Sequence, residues 1–66
     1  MKYKMTIKKK KKEFDTISEC VEEMRLYGYH TIDVFFEEND ILYKRMICIQ
    51  DKIIKLGEKE KIRWKG

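Results

Sequence analysis

Proline is absent from these 66 residues, glycine occurs three times, cysteine twice and histidine once. Gly28, Gly57 and Gly66 are too sparse for a phosphate-cradling loop. No run of 18 apolar residues exists, so nothing reads as a membrane-spanning helix. The start, Met1-Lys2-Tyr3-Lys4, has no apolar stretch behind it and does not read as a secretory signal. The expected setting is therefore the cytoplasm, with Cys20 and Cys48 as free buried thiols. No low-complexity linker and no internal repeat divide the chain, and residues 1–66 read as one domain. A chain this short buries only about 60% of the surface its unfolded form exposes, so a staple or a partner subunit would help it.

Charged and apolar residues each make up 42% of the chain, too apolar and too well patterned for disorder. The net charge of +4 conceals a segregation. Residues 1–12 hold seven lysines and no acid; residues 13–51 hold ten acids against Arg25, Lys44 and Arg45; residues 52–66 hold six bases against Glu58 and Glu60. The ends are basic and the middle is acidic.

Met1, Tyr3, Met5 and Ile7 alternate with polar residues, which predicts a half-buried strand. The five lysines from Lys8 to Lys12 read as a solvated connection or strand end, because like charges repel in a packed element. Thr16-Ile17-Ser18-Glu19 fits a capping box. Phe14, Ile17, Cys20, Val21, Met24 and Tyr27 then recur at spacings of three and four, one apolar helical stripe ending at a Gly28 cap. Leu26 falls among Glu19, Glu22 and Glu23, outside that stripe. Alternating runs follow: Ile32-Val34-Phe36, Ile41 to Ile49, Lys52 to Leu56, and Lys61 to Lys65, separated by polar turns. These predict an α+β fold of two layers: one N-terminal strand, one helix, then an antiparallel meander of three to four strands.

Two consequences bear on function. The Ile41–Ile49 strand is apolar on both faces, with Leu42, Met46 and Cys48 opposing Ile41, Tyr43, Ile47 and Ile49. One helix covers one face, so the other face is covered by a chain end, a second subunit or a partner, or remains an exposed apolar patch. The second consequence concerns the ends. Lys2, Lys4 and Lys8 share the outer side of the first strand, and Lys61, Arg63 and Lys65 that of the last. If those strands are neighbours, they form a basic patch.

Catalytic chemistry finds little footing. Cys20, His30 and Cys48 are spaced by ten and eighteen residues, without the close pairs that hold a metal, and nothing local sets a thiol beside His30. The paired carboxylates Glu22-Glu23 and Glu37-Glu38 fall on a helix outer face and in a turn, where a raised acid pKa is not expected. The expectation is a non-enzymatic protein without a metal or a cofactor.

The leading expectation is a protein-binding module that occludes a surface of a larger host protein or ribonucleoprotein. Glu19, Glu22, Glu23 and Leu26 would contribute from the helix, and Tyr43, Ile47 and Ile49 from the sheet, an apolar centre with a charged rim. A homodimer beneath it is compatible with the same surplus apolar face. The alternative is a nucleic-acid binder using Lys2, Lys4, Lys8, Arg63 and Lys65 against phosphates. In size and composition the whole chain resembles small phage or mobile-element proteins, including inhibitors of host defence. That resemblance implies an inhibitor or regulator; no motif carries it, and it assigns no functional residue.

Overall fold

The computed structural model describes the backbone of residues 1–64 and the side chains of residues 1–62. It begins with a hairpin. β1 (Tyr3–Ile7) pairs antiparallel with β2 (Lys10–Phe14), Tyr3 opposite Phe14 and Ile7 opposite Lys10. Lys8 and Lys9 form the two-residue turn, both at positive φ (50° and 66°). Such turns match the twist of the flanking strands but usually carry Asn or Gly. The lysine run is thus a turn plus most of a strand rather than a connection, and the expected single N-terminal strand is a pair. Its charges are tolerated because β2 lies at the edge of the sheet.

Helix α1 (Ile17–Tyr27) starts as the capping pattern dictates: the Glu19 amide donates to Thr16 Oγ1 at 3.1 Å. It ends at Gly28, φ 74°, whose amide reaches back to the Met24 and Arg25 carbonyls. β3 (Thr31–Glu38), β4 (Ile41–Gln50) and β5 (Ile53–Leu56) form the antiparallel meander. Asn39 and Asp40, at φ 52° and 63°, make the first of its two tight turns, with residues suited to that backbone.

The order across the sheet is β2-β1-β3-β4-β5. β6 (Glu60–Trp64) also pairs with β4, along the half of that long strand that β5 does not reach. Residues 57–59 therefore do not reverse the chain, as expected of a further turn. They interrupt one edge strand, with Gly57 still held to β4 through its amide on the Met46 carbonyl at 2.8 Å. The first and last strands are not neighbours, since β3 and β4 lie between β1 and β6.

The helix covers one face of the sheet. Cys20, Val21 and Met24 meet Met5, Ile7, Val34, Ile47 and Ile49, all buried. Phe14 belongs to β2 rather than the helix, yet it packs on the same core. On that face Tyr3, Phe36 and Tyr43 form an aromatic row, with ring centroids 5.4 and 5.6 Å apart.

Truncating Met24, fully buried, is expected to cost about 2–4 kcal/mol as Met24→Ala, whereas Leu26→Ala at the exposed helix surface should cost under about 0.5 kcal/mol. Gly28→Ala should cost about 1 kcal/mol from backbone conformation alone, because an added Cβ meets nothing within 4 Å. Urea titration followed by circular dichroism checks all three.

Candidate interaction surface

Strand register decides which side chains reach the helix. Ile32 stands opposite Ile47, and Phe36 opposite Tyr43, so the Tyr43-Ile47-Ile49 row shares the helix side with β3's buried residues. Ile47 is fully buried and Ile49 nearly so, which removes both from any docking surface. Alternation alone said that the two rows of β4 oppose each other; it did not say which row meets the helix. Tyr43 is half-buried between Phe36 and Lys59, whose Nζ lies 4.6 Å from the ring centroid while bonding Glu38 at 2.6 Å. The segment between β5 and β6 thereby closes the end of this face that the helix does not reach.

The uncovered face is the other one. Cross-strand partners place Lys4, Phe35 and Lys44 side by side across β1, β3 and β4, with Asp33 beside Met46 and Glu37 beside Leu42. Phe35 and Met46 are 37% and 47% exposed. Leu42 and Cys48 are partly covered, and no helix lies over them. Lys4, Thr6, Lys11, Glu13, Phe35, Glu37 and Leu42 line a shallow concavity of about 750 Å³ on this side. Its charges are mixed. Lys4 approaches Glu13 at 3.9 Å and Lys44 approaches Glu60 at 3.8 Å.

The expected helix residues divide. Glu19, Glu22 and Leu26 are exposed, Leu26 at 74%. Glu23 is instead tied to the sheet through Lys12, which also lies 4.7 Å over the Tyr27 ring. That hydrogen bond to Glu23 holds the Lys12 ammonium above the ordinary lysine value. Among the alternative basic residues, Lys2 pairs with Asp15 at 2.5 Å, an interaction that raises the lysine and lowers the acid. Lys8 sits in the first turn with Nζ 6.0 Å from the Tyr29 ring. Arg63 lies on β6 opposite Leu42, its side chain beyond those described, and Lys65 lies outside the described residues. The structure therefore brings Lys2, just before β1, and Lys4, on it, close together but does not bring the last strand beside them.

Cys20 is buried under the helix, and burial pushes its thiol up to about 11. The Ile49 amide donates to the His30 carbonyl at 2.7 Å; Ile49 points to the core and the adjacent Cys48 to the open face. Both cysteines are free. Among the described residues, no group of three His, Cys, Asp or Glu is arranged to hold a metal ion, and no helix is long and apolar enough to cross a membrane.

The β5 residues are what sequence reading passed over. Ile53, Ile54 and Leu56 are 61%, 44% and 40% exposed on an edge strand. The signal was present as adjacent isoleucines, which cannot both face one core from a strand. No protein family, curated protein or solved structure matches this chain.

Two outcomes follow. At pH 8, iodoacetamide should modify Cys48 well before Cys20 in the folded protein; equal rates would contradict the burial of Cys20. Because the folded Lys12 value is raised, the stability it adds is present below the unfolded lysine pKa and is lost as pH climbs through the folded one. The stability difference between wild type and Lys12→Met, measured by urea titration, should hold steady from neutral pH to about 10 and shrink above it.

Proposed function

We propose that this chain is a non-enzymatic, protein-binding module that docks through the uncovered face of its sheet. The observation that carries this reading is the exposure of Phe35 and Met46, with Leu42 half-covered, on the uncovered sheet face, interleaved with Lys4, Lys44, Asp33 and Glu37. Desolvating the apolar members supplies affinity, and the interleaved charges of both signs supply orientation and on-rate. The mode of action is occupation: a stoichiometric binder that regulates or inhibits a larger protein or ribonucleoprotein by covering its working surface. Glu19, Glu22 and Leu26 on the helix are a separate, second patch on the opposite side of the molecule.

Nucleic acid fits this face less well. Lys2, Lys4, Lys11, Lys44 and Lys55 share it with Glu13, Asp33, Glu37 and Glu60 among the described residues, so a phosphate backbone meets nearly as many carboxylates as ammonium groups. Phe35 is the one aromatic side chain described on this face, a narrow platform for stacked bases.

The test is affinity capture from the native host with wild type, Phe35→Asp/Met46→Asp, and Glu22→Lys/Leu26→Asp. A partner held by wild type, lost by the sheet pair and kept by the helix pair is the expected result. Loss through the helix pair alone would move the site to the helix. A gel shift with single-stranded nucleic acid that weakens steeply with salt and disappears in Lys2→Glu/Lys4→Glu would replace the protein reading.

A further inference from the structure

The two edges of the sheet are guarded unequally. β2 presents Lys10, Lys11 and Lys12 in succession, and an edge strand carrying lysines resists pairing with other strands. β5 carries Ile53, Ile54, Lys55 and Leu56, all exposed. Hydrogen-bonding direction alternates along an antiparallel strand. The Gly57 amide faces β4, so Lys55 and Ile53 face it too, and the backbone groups of Ile54 and Leu56 point outward. Among the described residues no strand receives them.

Ile54 and Leu56 are the outward positions of β5; continuing the same alternation past its ends reaches Lys52 in the preceding turn and Glu58 just after the strand, in the sequence Lys52, Ile54, Leu56, Glu58. Reversed, it reads Glu58, Leu56, Ile54, Lys52. The order is complementary to itself: opposite charges at the ends and aliphatic groups between. We propose that a second copy of this chain pairs antiparallel along β5, about a two-fold axis at Lys55, and joins the two sheets edge to edge. Each Ile54 then meets the other copy's Leu56, and each Lys52 the other copy's Glu58, so both contacts occur twice. Lys55 meets its own counterpart once, on the open face, where two long side chains diverge into solvent. A register centred on Ile54 instead sets Lys52 against Leu56 and Ile53 against Lys55, and loses both charge pairs. Opposite charges across strands favour a register and like charges oppose it. The lysines of β2 block propagation from the far edge, so the contact closes as a dimer. The pairing does not rest on the open-face reading, because Phe35, Leu42 and Met46 stay uncovered in it.

Sedimentation equilibrium of the full chain over a wide concentration range should show a reversible monomer–dimer exchange. Lys52→Glu and Glu58→Lys should each weaken the dimer about fivefold or more, and the two together should restore it to within about twofold. In a Cys48→Ser background, Lys55→Cys should oxidise to a disulfide-linked dimer, since residues in a non-hydrogen-bonded antiparallel pair sit about 4.5 Å apart at Cα. Lys61→Cys, elsewhere on the same edge, should not. Lys52, Lys55, Glu58 and Lys61 are exposed and Cys48 is half-buried, and circular dichroism checks that each variant folds. A chain that stays monomeric throughout overturns the proposal. So does a dimer indifferent to both charge reversals, or Lys55→Cys cross-linking no faster than Lys61→Cys.

Discussion

An eleven-residue helix has to shield a sheet five strands across, and it reaches one face only. Everything else in the molecule adjusts to that shortage. The buried residues are drawn from α1, β1, β3 and β4, where the helix lies, with Tyr3, Phe36 and Tyr43 extending the apolar layer toward the sheet's end. There the chain sets the Lys59 ammonium, anchored by Glu38, over the Tyr43 ring. The far face and the β5 edge receive no such cover, and it is there that apolar side chains meet water.

Charge segregation along the chain has a structural counterpart. The lysine-rich start becomes the guarded β2 edge, and one of its members, Lys12, ties that edge to the helix through Glu23. The acidic middle supplies the helix surface and alternates with aromatics on β3. The segregation so evident in one dimension becomes interleaving in three, because strands from the basic and acidic segments lie side by side: Lys4 opposite Glu13, Lys44 opposite Glu60. On the open sheet face, among the described residues, ammonium groups and carboxylates therefore stand side by side.

Much of the fold was legible beforehand. Thr16, Glu19 and Gly28 bound the helix because capping is a local matter, and Asn39-Asp40 marks a turn for the same reason. β2 was not legible, since a hairpin turn of two lysines at positive φ carries none of the usual side-chain signals, and four charged residues of five hide a strand that lies at an edge. The candidate surface was half legible. Two apolar rows on β4 were evident, and with them the need for one to go uncovered. Which row it was depended on the pairing of Ile32 with Ile47, a cross-strand register that periodicity within either strand does not encode. The edge residues of β5 were passed over because burial depends on what lies beyond a strand, and nothing lies beyond this one.

The strand order has a bearing on how the molecule holds together. Two pairings join strands that are not consecutive: β4 with β6, which passes over β5 inside the meander, and β1 with β3, which spans the helix and matches residues at Lys4 and Phe35. The molecule is in this sense two locally zipped halves, an N-terminal hairpin with its helix and a C-terminal meander, meeting at one thinly stitched seam. What fastens the seam is grease rather than backbone: Met5 and Ile7 from one half against Val34 and Ile47 from the other. Contacts within each half are the more local ones, so the entropy of loop closure falls mainly on their docking. The line between β1 and β3 is consequently where this sheet would first part under stress.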